Sequence, residues 1–178
     1  RNACKPGDVI LTTGIHGLSK LGFLIKNKIS LDNDFSLKKR LISKSIEHFC
    51  RPKVYPNFLK NLIKTRSDKK IKRIGCTDSS DGLFQALQDL AIASKCKAII
   101  NYEKIPKDKD WPKGDKWDEY YFFGGEDYEL VFSLPKKWAK NLSKLDKDIN
   151  EIGFFTDGEP SIEFKDNKKN KLFNNTPF

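Results

Sequence analysis

The chain has 178 residues, 38% hydrophobic and 12% aromatic, and its 34 lysines and arginines outweigh 24 aspartates and glutamates for a net charge of +10. That length supports one domain of ordinary size with a real core, and that composition excludes an intrinsically disordered chain. No apolar run reaches the roughly 18 residues a spanning helix needs, and RNACKPGD at the start is no signal peptide, because no apolar stretch follows its charge. The chain contains no Met, which predicts a fragment or a missing start.

The excess positive charge has two readings. A basic chain binds nucleic acid or phosphorylated small molecules, or else abundant lysine is a bulk habit of the source organism. Here the lysines are scattered among acids and asparagines, as in KDKDWPKGDK and KDNKKNK. Aromatics do not interleave with them as on a single-strand-binding platform, which favours a solvated surface. Cys4, Cys50, Cys76 and Cys96 are far apart and form no CxxC, with His16 and His48 the two histidines available to assist them. Reduced structural thiols in a cytoplasmic protein are therefore expected, rather than a zinc site.

In chain order, GDVILTTG (7–14) reads as a buried strand entered through a Pro-Gly turn and left through a glycine. Residues 17–28 have helical spacing through Leu18, Leu21, Leu24 and Ile25, and 29–36 read as loop. Helices are predicted over 37–49 and 57–66, with Pro52 and Pro56 breaking the chain between them. KIKRIGCTD (70–78) is the next strand, and the helix from Gly82 places Leu83, Ala86, Leu87, Leu90 and Ser94 on one face. A strand over 97–106 precedes a polar excursion at 107–119, read as a surface loop with a short helix. YELVFSLP (128–135) is the clearest strand, 136–145 is helical, and 149–164 reads as two strands about an Asp-Gly turn. This alternation predicts one mixed α/β or α+β domain.

Two segments carry potential chemistry. TDSSDG (77–82) joins a strand to a helix, where backbone N–H groups favour anions. Asp78 and Asp81, three apart, suit magnesium, which takes few protein ligands plus water and phosphate, and Ser80 can donate to a phosphate oxygen. The architectural alternative makes Ser80 or Asp81 a helix N-cap and Asp78 a solvated loop residue. In FFGGEDYELVF (122–132), a Gly-Gly pair allows positive φ or close approach to a ligand, and Glu126, Asp127 and Glu129 crowd a strand entrance. Within a strand, Glu126 and Tyr128 share one face, and Asp127 and Glu129 the other. A hairpin with charged shoulders looks similar. GDVILTTG lacks the Walker lysine and reads as a strand with a glycine exit.

GDVILTTGIHG, CTDSSDGLFQALQDLA and FFGGEDYELVFSLP, in this order, resemble the C-terminal half of the thiamine-monophosphate kinase family. That family belongs to the superfamily of aminoimidazole-ribonucleotide synthetase and selenophosphate synthetase, and the likeness spans residues 1–178. It implies an α+β domain with a mixed sheet flanked by helices. It also implies phosphorylation of thiamine monophosphate by ATP to thiamine diphosphate in the cytoplasm. By this resemblance Asp78 and Asp81 are magnesium ligands, Ser80 and Arg1 nucleotide contacts, and Glu126 and Phe178 contacts to thiamine phosphate. Ser79 and Phe123 depart from the family pattern, and RNACKPGD lacks its usual glycine. The family's N-terminal domain, which carries further metal and nucleotide contacts and forms the homodimer, is absent from this chain. The fragment alone is therefore expected to be catalytically incomplete. Alternatives are another enzyme of the superfamily, against which SDG followed by GGEDYEL speaks, or a nucleic-acid-binding module, against which the scattered lysines and acidic segments speak. No membrane partner is expected.

Overall fold

The apolar run after the Pro6-Gly7 turn forms β1 (Asp8–Thr13), and every one of its residues is buried. The computed structural model describes residues 1–29, 37–70 and 73–166. In chain order β1 is followed by α1 (Leu18–Lys26), α2 (Lys39–Cys50), α3 (Phe58–Thr65), β2 (Gly75–Asp78), α4 (Leu83–Ser94) and β3 (Lys97–Ile100). After a 3-10 turn at Tyr102–Lys104 come α5 (Asp115–Phe123), β4 (Leu130–Pro135), α6 (Lys136–Leu145), β5 (Ile149–Thr156) and β6 (Ser161–Phe164). The mixed domain expected from the alternation is the one that forms.

The strands make one sheet in the order β2-β4-β1-β5-β3-β6. Neighbours run antiparallel except β3 and β6, which are parallel. The period of two sends Ile10 of β1 to one face and Val9 and Leu11 to the other. On the Ile10 face the core is completed by α1, α2, α4 and α5, through Leu21, Leu41, Leu87, Leu90 and Phe122. On the opposite face it is completed by α3 and α6, through Phe58, Leu62, Trp138 and Leu142. The Trp138 indole donates to the Leu62 carbonyl at 2.9 Å, which ties α6 to α3 and satisfies a buried N–H. Asp8 is tolerated at the start of so buried a strand because Arg73 grips its carboxylate and the Lys5 N–H donates to it at 2.9 Å.

Three local expectations change. Residues 107–119 are not a surface excursion: Trp111 and Trp117 are buried and meet edge-on at 6.1 Å, and α5 buries Tyr121 and Phe122 as well. Large aromatics spaced through a charged segment supply an apolar stripe that composition hides. The two strands about the Asp-Gly turn exist, but they are not hairpin partners, because β3 lies between them. Residues 157–160 therefore cross over one strand, a gap of roughly 10 Å, since neighbouring strands lie about 4.8 Å apart. The strand expected over 97–106 ends at Ile100 and gives way to the 3-10 turn.

Candidate functional site

Sheet register brings the three motif segments to one end of the molecule. Thr12 pairs with Val131 and Asp78 with Leu130, so the C-terminal ends of β1 and β2 flank the start of β4. Two loops meet there, 79–82 entering α4 and 124–129 leaving α5. They are laced together: the Ser79 N–H donates to the Glu129 carbonyl at 2.9 Å and the Glu126 N–H to the Ser80 carbonyl at 2.7 Å. The Glu129 N–H in turn donates to Ser79 Oγ at 3.1 Å. Position 125 requires glycine, with φ +67° and space such that a β-carbon would lie 2.6 Å from the Ser80 carbonyl oxygen.

α4 starts without a side-chain cap. Gly82, at φ 97°, precedes the helix, and its N–H closes a turn on the Ser79 carbonyl at 3.0 Å. The N-cap role considered for Ser80 or Asp81 is thus filled by a glycine turn, which leaves both side chains free for other uses. Asp78 and Asp81 are exposed and have no hydrogen-bond or ion-pair partner among the described residues. No acidic residue occupies the first turn of α4, so its unpaired N–H groups keep their attraction for an anion. Among the described residues no group of three or more His, Cys, Asp or Glu is placed to hold a metal alone. Two unpaired aspartates beside an anion-attracting helix start have the chemistry to supply part of the oxygen shell of a hard cation, whose other ligands would be water and phosphate.

Loop 124–129 turns its side chains alternately out and in. Glu126 and Tyr128 are exposed while Asp127 and Glu129 are buried, the division expected for a strand. The cause is different, because β4 begins at Leu130 and Glu126 and Tyr128 adopt left-handed backbone at φ 60° and 53°. Each such residue costs roughly 1–2 kcal/mol, and buried anchors hold the geometry. The Asp127 carboxylate accepts from the Gly17 and Ser19 N–H groups at 2.6 and 2.9 Å, which caps α1 from another part of the chain. Burial pushes this carboxyl up to about 6 although both amides pull it back. Glu129 accepts from Thr13 Oγ1 at 2.5 Å, and Thr13 Oγ1 accepts from the Leu130 N–H at 2.8 Å. Burial pushes Glu129 up, but His48, Thr13 and Tyr55 around it outweigh that and hold it below the ordinary carboxylate range. His48 sits 3.7 Å from Asp127 and 3.6 Å from Glu129, and bridges the two anchors. His16, fully buried on Thr12 Oγ1 at 2.7 Å, is driven down to about 4 by that burial and stays neutral near pH 7.

On the exposed side, the Tyr128 hydroxyl donates to Glu126 Oε2 at 2.9 Å. The phenol is pushed up, first by that bond and the Glu126 charge, then by desolvation and by Asp78 and Asp81. Asp78, Ser80, Asp81 and Glu126 therefore share one patch. Arg1 lies elsewhere: its guanidinium pairs with Asp89 at 2.5 Å and its carbonyl accepts from Ser94 Oγ at 3.1 Å. Asp89 is six residues into α4 from Leu83, roughly 9 Å along its axis. Phe178 falls outside the described residues. Residue types alone assigned no task to Tyr128, Asp127, Glu129 or His48. The alternation of acids around one tyrosine was the available signal for the first three; His48, on another helix, left none.

The family described as AIR synthase related protein, C-terminal domain, matches residues 5–165. The chain is 34% identical over 158 residues to a thiamine-monophosphate kinase of Prochlorococcus marinus, covering 89% of this chain and 47% of that protein. It is 32% identical over 176 residues to a thiamine-monophosphate kinase of Nitrosopumilus maritimus, covering 94% and 52%. The chain thus spans about half the length of the curated relatives it matches. The crystal structure of thiamine-monophosphate kinase from Stenotrophomonas maltophilia has the same fold, with a TM-score of 0.71 at 20% identity over 92% of this chain and 52% of that one. AaThiL complexed with AMPPCP and TMP aligns with a TM-score of 0.67 at 25% identity, over 91% and 49%. Both the sheet and the family match run through the three motif segments, and the chain belongs to the AIR synthase related protein family, as its C-terminal domain.

Proposed function

We propose that this chain is the C-terminal part of a thiamine-monophosphate kinase, which transfers the γ-phosphoryl group of ATP to the phosphate of thiamine monophosphate. The observation that carries the reading is the meeting of TDSSDG and GGEDYEL at one end of the sheet, with Asp78 and Asp81 unpaired and Glu126 exposed beside them. Similarity to kinases of that name, and to AaThiL in its complex with AMPPCP and TMP, supports it.

The acceptor phosphate is already anionic, so no residue need act as a strong base. The bond that forms joins an acceptor oxygen to the γ-phosphorus, and the bond that breaks releases ADP. Repulsion between two polyanions and their alignment are the barriers. Magnesium, when bound, supplies charge neutralisation on the transferring group. Asp78 and Asp81 would hold it and leave its other positions to phosphate and water. The α4 start and Ser80 orient phosphate oxygens, and Glu126 receives the cationic thiamine portion. Arg1 and Phe178 keep the nucleotide and substrate roles implied by the family. Completion of the site by an N-terminal domain, in a cytoplasmic homodimer, belongs to the same proposal. No helix among the described residues is long and apolar enough to cross a membrane.

Full-length protein incubated with ATP, magnesium and thiamine monophosphate is expected to yield thiamine diphosphate and ADP in equal amounts, read by chromatography. ADP release without thiamine diphosphate would overturn the acceptor assignment.

A further inference from the structure

We propose that Tyr128 positions Glu126 and that its ring forms part of the surface receiving the cationic organic portion of the acceptor, an inference that rests on the kinase reading above. Tyr128 is a large aromatic left 45% exposed at the functional end of the sheet. Its ring forms no aromatic pair with a described residue, so core packing does not account for it. The hydroxyl is committed instead to Glu126 Oε2 at 2.9 Å. A glutamate on an exposed loop samples several rotamers, and one bond from a fixed donor selects among them.

The donor is fixed by its backbone. Tyr128 and Glu126 both hold left-handed φ, and between and after them Asp127 and Glu129 are locked to α1 and β1. Strain of this kind persists where surrounding structure over-determines it, and here it aims two neighbouring side chains outward together. The patch also holds Asp78 and Asp81, so its field attracts any cation. An aromatic face adds selectivity, because a flat organic cation stacks on it while a hydrated metal ion gains little there. Phosphate ends of both substrates then lie toward the α4 start, and the organic cation toward Tyr128.

The test is steady-state kinetics of the full-length protein with Tyr128→Phe, Tyr128→Leu and Glu126→Gln. Loss of one hydroxyl that orients a charged group is worth about a fivefold change. Tyr128→Phe should raise KM for thiamine monophosphate by about that factor and leave KM for ATP and the thermal midpoint unchanged. Tyr128→Leu, which removes the ring, should raise it further. Adding Tyr128→Phe to Glu126→Gln should cost less than Tyr128→Phe costs in the wild type, because the neutral amide oxygen accepts a weaker bond than the carboxylate. An active wild type whose thiamine monophosphate KM is unmoved in Tyr128→Phe, or in which both KM values rise with a fallen midpoint, overturns this inference alone. A wild type that makes no thiamine diphosphate overturns the kinase reading and this inference with it.

Discussion

Gly22 lies where α1 crosses α2, and its replacement by alanine sets two effects against each other. In a helix interior alanine is favoured over glycine by roughly 1 kcal/mol, so an open site would gain stability. At this site a β-carbon would lie 2.1 Å from the Ser45 carbonyl oxygen and 2.9 Å from Phe49 Cβ. Ordinary contact begins near ~3.5 Å, so the helices must part by about 1 Å. The Ser45 oxygen belongs to the α2 backbone and cannot swing aside as a side chain would. Forcing a packed interface apart costs typically 1–3 kcal/mol, and a backbone obstacle places the cost at the upper end. The net expectation for Gly22→Ala is a loss of about 2 kcal/mol. In a domain of this size each 1 kcal/mol moves the thermal midpoint by about 2–4 °C, so the fall should be roughly 4–8 °C. Thermal unfolding of full-length wild type and variant, followed by circular dichroism, measures it. A midpoint that holds or rises would mean that propensity wins and that α1 and α2 do not approach as closely as described.

Gly125→Ala meets both a left-handed backbone and the Ser80 carbonyl at 2.6 Å, so it should loosen the two site loops. Turnover is expected to fall more steeply than the thermal midpoint, and equal losses would count against a local role. Asp81→Asn removes an exposed, unpaired charge and should leave the midpoint within the scatter of surface substitutions, about 0.5 kcal/mol. Turnover at limiting magnesium should drop about tenfold or more and recover partly with excess metal; normal turnover there would overturn the proposed role of Asp81 as a metal ligand. Asp108 supplies a pH test. Burial pushes its carboxyl up, but hydrogen bonds from Lys44, the Asp110 N–H and Arg40 outweigh burial and hold it at about 2. Its folded value lies below the unfolded one of about 4, so its stabilisation is present above about pH 4 and is lost as pH falls toward 2. Midpoints of wild type and Asp108→Asn should converge across that window, and parallel curves would refute the assignment.

Periodicity and punctuation were legible without coordinates. Leu18, Leu21 and Leu24 marked α1, VILTT marked a buried strand, and Gly82 marked the junction that begins α4. The pair Asp78 and Asp81 was legible as well, since short-range spacing places both residues at one strand-to-helix turn. Long-range facts were not. β3 separates two strands that a short Asp-Gly turn implied were partners, because a sequence states how far apart two strands are but not which strand fills the gap. In the sequence Asp127 is one of three acids crowding a strand entrance, with nothing to name its partner, yet it caps α1 from 108 residues away, and Glu129 meets Thr13 from 116 away. The sequence by itself determined the mixed α+β class, the main elements and the aspartate pair, all governed by local propensity and period. The tertiary structure alone decided which carboxylates turn inward as anchors and which outward to solvent. That choice depends on left-handed turns at Glu126 and Tyr128, and these are stable because distant α1 and β1 supply hydrogen bonds to the acids beside them.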